Sequence, residues 1–340
     1  MHDSETPIKS IAVIDRLGIA MRASHVLVIF FVIGGIAFAA IGTAMGDTFF
    51  LRLATEALIF AGLALSVDIL LGYTGMLSLG QALYFGLGAY VSAVVLKQIP
   101  SFWVAMGSVL LASLIVGILA GLIANRVRGV YFALVTFGLA QVVAKAIYNT
   151  RALGASDGLI GVPIVPIDFG VATVMSNAPA GFFLVTLGVI VILYAISAYL
   201  LDTPFGRILV ALRANERRVP FLGYSTRNAR LAAYVIAAVV AALSGALYPM
   251  LRGFVSPELL FFSTSGNAVI TVVIGGVGTL VGALYGGVIL TVLKSVVGSM
   301  TQHHLIVIGL LFMAVVIFLP KGLLGFVRPR IERLLRGGMR

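Results

Sequence analysis

The 340-residue sequence contains no cysteine and few charged residues. Without cysteine, the chain has no disulfide, no thiolate nucleophile and no cysteine-ligated metal. Charged residues make up 10% of the chain, whereas soluble domains carry about 25%. So few charges cannot cover a surface exposed to water, which disfavours a soluble enzyme, a nucleic-acid-binding protein and a disordered protein. The 61% hydrophobic content and the mean hydropathy of +1.14 instead indicate a protein that faces lipid.

Other common signatures of catalysis are also missing. Only two of the four histidines, His303 and His304, are adjacent, and no third metal ligand accompanies them. A phosphate-binding P-loop needs a lysine directly after a glycine, and no lysine here follows one. We therefore predict no catalytic residue, no metal site and no cofactor in this chain.

Long apolar runs dominate what is present. A transmembrane helix needs about 20 mostly apolar residues, and ten segments approach that length. The pattern predicts an all-α bundle of about ten membrane helices, some of them short or interrupted by glycine. The predicted spans are 26–45, 53–71, 76–96, 102–124, 130–149, 180–201, 229–250, 265–279, 281–299 and 304–320.

Three regions follow from this pattern: an N-terminal arm (1–25), a membrane domain (26–320) and a basic tail (321–340). Residues 7–22 mix isoleucines with basic residues, which predicts an amphipathic helix on the membrane surface; a frayed tail is the alternative. If the N-terminus is cytoplasmic, 17 of the 23 lysines and arginines fall on the cytoplasmic side. That asymmetry is what the positive-inside rule requires, and it explains the net charge of +11 without nucleic acid.

Two connecting loops are long. The outward loop, 150–179, is rich in glycine and proline, which predicts an ordered, turn-rich cap; it is either a docking surface for an external partner or a passive connector. The inward loop, 202–228, predicts a short helix capped by Asp202 or Thr203, with Pro204 at its first position. Such a helix could receive force from a cytosolic motor, or it could anchor the loop among lipid headgroups.

Polar residues interrupt the apolar pattern near residue 72. The stretch from Gly72 to Ser78 contains two glycines and three hydroxyl residues. Irregular backbone at membrane depth survives only inside protein or beside a water-filled cavity, so we predict a discontinuous helix that lines a pathway. A plain cytoplasmic turn is the alternative. The candidate pathway residues are Asp68, Gly72, Tyr73, Thr74, Gly75, Ser78 and Gln81.

Further ionisable residues lie in the predicted spans, namely Glu56, Lys145 and Lys294. They lie three to five residues from the ends of their spans, so structural salt bridges or headgroup contacts are expected for them. Glycines repeat every four residues at Gly117 and Gly121, and again from Gly278 to Gly286. This spacing predicts close helix packing.

Several of these segments together resemble LivM-type permease subunits of ABC importers for branched-chain amino acids. The resemblance covers about residues 50–320, and the segments that carry it are 72–93, 128–136, 156–163, 203–223, 255–257 and 274–279. Pro220 and Ala283-Leu284 depart from the family pattern. The family also serves urea, amides and aromatic acids, so the substrate stays open.

The resemblance implies a multi-pass permease in the bacterial inner membrane, with both termini in the cytoplasm. Its implied partners are a second homologous permease subunit, two cytosolic ATPase subunits that hydrolyse ATP, and a periplasmic substrate-binding protein. The loop at 203–223 would dock on the ATPase, and the candidate coupling residues are Asp202, Gly206, Arg207, Arg213, Asn215, Glu216 and Gly223. Two alternatives need no motor: a secondary transporter with Asp68 as a proton site, and a passive channel.

Overall fold

The computed structural model of the chain describes residues 6–168, 173–300, 304–318 and 322–325. Most of these residues are helical. The helices are α1 (Thr6–Met45), α2 (Thr48–Asp68), α3 (Gln81–Gln98), α4 (Phe102–Ala124), α5 (Val130–Asn149), α6 (Pro179–Asp202), α7 (Pro204–Asn215), α8 (Thr226–Gly245), α9 (Tyr248–Arg252), α10 (Phe262–Gly275), α11 (Val281–Met300) and α12 (His304–Phe318). The strands are β1 (Leu159–Ile160), β2 (Pro166–Asp168), β3 (Thr173–Met175) and β4 (Phe254–Val255).

Seven helical stretches of the described chain are long and apolar enough to cross a membrane. They are Ser24–Met45, Thr48–Thr74, Phe102–Ala124, Val130–Asn149, Pro179–Asp202, Thr226–Arg252 and Val281–Met300. The other three predicted spans fall on α3, α10 and α12, which have 18, 14 and 15 residues. The structure therefore supports a helical membrane bundle, and the count of ten remains a prediction.

The predicted surface helix at 7–22 and the first predicted span lie on one continuous helix, α1. The side chains before residue 24 are outside the described part of the chain, so an amphipathic surface there stays a prediction. His303 and residues 326–340 of the basic tail are also outside the described residues.

The centre of the bundle is formed by α2 and α8. Within their most apolar windows, 78% of the α2 stretch and 67% of the α8 stretch is buried, against 28% for each of α4, α5 and α6 and 6% for α1. The exposed apolar side chains of α1 therefore face outward, where a bilayer would cover them.

Glycine brings the central helices into backbone contact. A Cβ added at Gly88 on α3 would overlap the carbonyl oxygen of Ala242 on α8, and one at Gly245 would overlap the carbonyl oxygen of Phe85. The two helices therefore approach through reciprocal glycine contacts. In lipid, such close approach replaces the hydrophobic effect as the force that joins helices.

The predicted glycine repeats bring helices into close contact at every position except Gly278. Gly117 and Gly121 bring α4 against side chains of α8, while Gly282 and Gly286 bring α11 against the backbone of α10. The prediction is wrong for Gly278, which has φ +80° and lies in the turn between α10 and α11. The helical run that the apolar pattern extended to residue 279 ends at Gly275, and Gly276 follows it with φ +117°.

The connections separate into two faces, joined by α4, α5, α6 and α8. The basic face consists of residues 125–129 and 203–225 together with the start of α8, where Asn125 Nδ2 donates to the Arg227 carbonyl at 2.7 Å. The loop face consists of the described parts of 150–178, together with 253–261. There β1 pairs with β4 and β2 pairs with β3, both antiparallel, and this gives the ordered cap that the glycine-rich and proline-rich loop predicts.

Candidate functional site

The end of α2 departs from α-helical geometry on the side of the basic face. A π-helical turn runs from Ile69 to Thr74, and Gly75 ends it with φ +73°. The Thr74 hydroxyl donates to the Leu70 carbonyl at 2.6 Å, and the Met76 amide donates to the same carbonyl at 3.1 Å. The sequence predicted an irregular segment here, but not the wider helical turn, which is a frequent feature of functional sites.

The chain then runs through residues 76–80 into the bundle before α3 begins. The Leu79 amide donates to the Thr136 hydroxyl on α5 at 3.2 Å, and Gly80 packs on the Thr136 carbonyl. Thr136 lies six residues beyond the start of α5 at Val130, or about 9 Å into the bundle. Ser78 and Gly80 are buried and Leu77 is exposed, so this irregular segment runs inward from the basic face. Whether it lines a pathway stays a prediction.

Two polar candidates lie in this segment and at the start of α3. The Ser78 hydroxyl accepts the Gly80 amide at 3.3 Å. Gln81 is fully buried, and its Oε1 accepts the Ser66 hydroxyl at 3.4 Å. Its Nε2 has no hydrogen-bond partner among the described residues. An unpaired buried amide donor costs free energy, so a polar partner for Nε2 would stabilise this side chain.

Asp68 joins α2 to the turn between α10 and α11. Its carboxylate is fully buried; Oδ1 accepts the Gly278 amide at 2.6 Å and Oδ2 accepts the Leu280 amide at 2.8 Å. Leu280 also has a positive φ, +51°, so the turn holds an unusual backbone conformation that the carboxylate stabilises. Each oxygen of Asp68 therefore holds a backbone donor.

Arg213 brings the coupling candidates and the pathway candidates together. Its Nη1 donates to the Gly72 carbonyl in the π-helical turn. The same guanidinium lies beside Gly278, where an added Cβ would be 3.2 Å from Nη1. One side chain of α7 thus touches both structures that Asp68 joins.

Glu216 connects the end of α7 to two other elements. Oε1 lies 3.2 Å from Nε of Arg128, in the turn between α4 and α5, and 3.3 Å from Nη1 of Arg230 on α8. Arg230 is buried, and its Nη2 also donates to the Val127 carbonyl at 2.8 Å. Glu216 therefore balances a charge that would be costly to bury alone.

The remaining coupling candidates have lesser contacts. Gly206 lets α7 pack on the Leu201 carbonyl, and Asn215 Oδ1 accepts the Arg217 amide at 3.1 Å. Asp202 and Arg207 are exposed, and Gly223 ends a 3-10 turn with φ +81°. The predicted helix begins at Pro204 as expected. The Thr203 hydroxyl, however, donates to the Leu200 carbonyl and does not cap the helix.

A cavity of about 390 Å³ opens where these elements meet. Its lining combines residues 74–77 of the irregular segment with Arg213, Glu216 and Arg230. Nearby, Phe221 and Leu222 are 89% and 67% exposed. The basic face therefore carries both a charged recess and bare apolar side chains.

Sequence reasoning missed the partners of these candidates. It counted Arg128 and Arg230 only as basic loop residues, and it placed Gly278 inside a span. One signal was available for Arg230: it is the fifth residue of α8, and a charge there needs a partner once the helix enters the bundle. Nothing in the local sequence indicates that Asp68 pairs with a turn 210 residues later.

Comparison with known proteins gives a consistent result. Residues 49–316 match the family described as branched-chain amino acid transport system, permease component. The chain is 29% identical over 302 residues to the high-affinity branched-chain amino acid transport system permease protein LivM of Salmonella typhimurium, covering 82% of this chain and 71% of that protein. It is 24% identical over 290 residues to LivH of the same organism, covering 81% and 93%. No solved structure matches the chain at a significant level.

Proposed function

The chain belongs to the family of branched-chain amino acid transport permease components, and from this we propose its substrate, its orientation and its partners. It is a multi-pass permease subunit of an ABC importer. The substrate is a branched-chain amino acid or a related small polar solute. The similar proteins LivM and LivH are both named as permease proteins of branched-chain amino acid transport, which supports pairing with a second, homologous permease subunit.

The basic face is cytoplasmic in this proposal. Its arginines support that orientation through the positive-inside rule, and both termini then lie in the cytoplasm of a cell bounded by an inner membrane. Two ATPase subunits would bind this face, with the exposed Phe221 and Leu222 as part of their contact. The loop face would then be periplasmic and would receive the substrate-binding protein.

One observation carries the proposal for coupling: α7 touches the pathway segment directly. Arg213 binds the Gly72 carbonyl and lies against Gly278, while Glu216 holds α8 and the turn between α4 and α5 through its two arginines. A displacement of α7 by the ATPase subunits would therefore reach α2, α8 and the turn between α10 and α11 together. Rigid movement of such packed helices is how alternating access is produced.

The pathway in this proposal passes along the irregular segment after α2. The buried Gln81 Nε2, which has no hydrogen-bond partner among the described residues, and the Thr74 and Ser78 hydroxyls supply polar groups where the neighbouring side chains are apolar. Discontinuous helices place such groups near the middle of the membrane in many transporters.

A Glu216→Gln variant of the reconstituted importer tests the coupling assignment. We expect normal membrane insertion and continued ATP hydrolysis, with less uptake per ATP hydrolysed, because the neutral amide no longer balances Arg230 and Arg128. The measurement is uptake of labelled leucine together with phosphate release, in proteoliposomes that contain all subunits. Glu258→Gln makes the same change at an exposed residue of the loop face and serves as the control. Unchanged uptake per ATP in Glu216→Gln would show that the coupling assignment is wrong.

A further inference from the structure

A second cavity lies between α2, α10 and α11, close to the loop face. Its volume is about 390 Å³, within the usual range of about 300–1,000 Å³ for small-molecule sites. Its walls include Phe49 near the start of α2, Thr264 near the start of α10 and Arg252 at the end of α9. The cavity is therefore at the opposite end of α2 from Asp68 and the α7 contacts.

Three ionisable side chains line the cavity, and their charges do not sum to zero. Glu56 and Arg252 form an ion pair, with Glu56 the more buried of the two. Lys294, on α11, is partly buried and has no hydrogen-bond or ion-pair partner among the described residues. Charged groups at such positions are costly unless paired or wetted, and they mark substrate or ion pathways. The lining therefore carries one uncompensated positive charge.

The rest of the lining is divided between polar and apolar groups. Asn267 and Thr291 add an amide and a hydroxyl to the lining, while Phe60, Leu63 and Leu290 provide an apolar surface. A few convergent polar groups beside apolar walls are the usual composition of a small-molecule site.

We propose that this cavity is an intramembrane binding site for the transported solute, and that Lys294 binds its carboxylate. The inference rests on the proposed function and narrows its substrate to small carboxylates that also bear an apolar group. Lys294 and the Asn267 amide supply donors for the carboxylate, the Glu56 carboxylate supplies an acceptor for an ammonium group, and Phe60, Leu63 and Leu290 contact the apolar side chain.

The absence of native cysteine allows occupancy to be measured without transport. A Thr291→Cys variant of the assembled importer in nanodiscs places one thiol in the cavity, and its rate of reaction with a maleimide reports access. Ser299→Cys, two turns further along α11 and outside this cavity, is the control. We expect leucine to slow labelling at position 291 and to leave position 299 unaffected.

The chemical class is tested with two analogues. 4-Methylpentanoate lacks the ammonium group of leucine, and leucinol has a hydroxyl in place of the carboxylate. We expect protection by 4-methylpentanoate and little or none by leucinol. A lipid phosphate at Lys294 would instead make labelling depend on the anionic lipid content of the nanodisc and not on leucine, and that result would overturn the proposal.

Substitution of Lys294 tests whether this side chain binds the carboxylate of leucine. Lys294→Met should raise the concentration of leucine needed for half-maximal protection by about tenfold or more, because a charge-assisted bond to the carboxylate is lost. Lys294→Arg should retain most of the affinity. Lys145→Met removes an equal charge from α5, where Lys145 lies over the Tyr148 ring, and should change nothing.

The outcomes separate this inference from the proposed function. Only the cavity assignment fails if the wild-type importer takes up leucine but leucine does not slow maleimide labelling at position 291. The same holds if leucine slows this labelling equally well when Lys294→Met is present. If the wild-type importer takes up no leucine, the proposed substrate is wrong. The comparison of 4-methylpentanoate with leucinol then still decides whether the cavity binds a carboxylate.

Discussion

Replacement of Asp68 distinguishes a structural role from a role as a proton site. The two carboxylate oxygens of Asp68 accept hydrogen bonds from the Gly278 and Leu280 amides, at 2.6 and 2.8 Å. Asp68→Ala removes both acceptors. Asp68→Asn keeps one acceptor and turns an NH2 group toward the other backbone N–H. We therefore expect both variants to loosen the turn between α10 and α11.

The cost can be estimated from the number of donors that lose a partner. A buried donor left without an acceptor costs about 1–3 kcal/mol, so Asp68→Ala should destabilise the fold by about 2–6 kcal/mol. Asp68→Asn should cost about half as much, because one bond survives. The Leu280 amide is buried and the Gly278 amide only partly so, which places the estimate for Asp68→Ala toward the middle of its range.

The measurement is the thermal unfolding midpoint in detergent, together with ATP-driven leucine uptake by the reconstituted importer. Asp157→Asn makes the same change at an exposed residue of the loop face and should leave the unfolding midpoint unchanged. We expect the unfolding midpoint and the uptake to fall together in the order wild type, Asp68→Asn, Asp68→Ala. Full thermal stability with loss of a proton-driven flux, in the purified chain without ATPase subunits, would contradict the reasoning and favour a secondary transporter.

Two glycine substitutions test the packing and the α7 contact. Gly88→Ala should destabilise the bundle by about 1–3 kcal/mol or more, because its Cβ overlaps the Ala242 carbonyl; Gly107→Ala, with open space around it, should be neutral or gain up to about 1 kcal/mol. A Gly88→Ala variant with a wild-type unfolding midpoint would refute the close approach of α3 and α8. Gly75→Ala and Gly253→Ala share a left-handed backbone cost of about 1–2 kcal/mol, but only at Gly75 does the new Cβ press on Arg213, 3.2 Å away. Uptake per ATP hydrolysed should therefore fall in Gly75→Ala alone, and equal uptake in the two variants would count against the α7 contact.

Much of the bundle could be predicted from the sequence because its outer helices are uninterrupted apolar runs. The predicted spans 102–124 and 130–149 agree with α4 and α5, since Ser101 precedes the first and residues 125–129, rich in basic residues and glycine, separate the two. The same rule failed at residues 276–279. Glycine, valine and threonine keep that segment apolar in composition, while the positive φ of Gly276 and Gly278 turns the chain.

The site could be predicted only in part, since local patterns identify residues but not their partners. The polar interruption after Gly72 and the capped helix after Pro204 were visible as separate features. Their contact through Arg213 was not, because it joins positions 141 residues apart. Glu56 and Lys294 were expected to form salt bridges or headgroup contacts, and they differ in outcome. Glu56 forms an ion pair with Arg252, whereas Lys294 faces a cavity in which no ion-pair partner is found among the described residues.

The two ends of α2 give a physical reason to treat the α7 contacts and the second cavity as one system. The second cavity lies between α2, α10 and α11, and the elements that Arg213 touches are the end of α2 and the turn that joins α10 to α11. Between these ends, α2 and α11 are in direct contact, since Gly287 lies on the backbone of Ala61. Close-packed helices transmit displacement rather than absorb it. A movement of α7 that tilts α2 against α10 and α11 must therefore change the width of the cavity in which Lys294 lies.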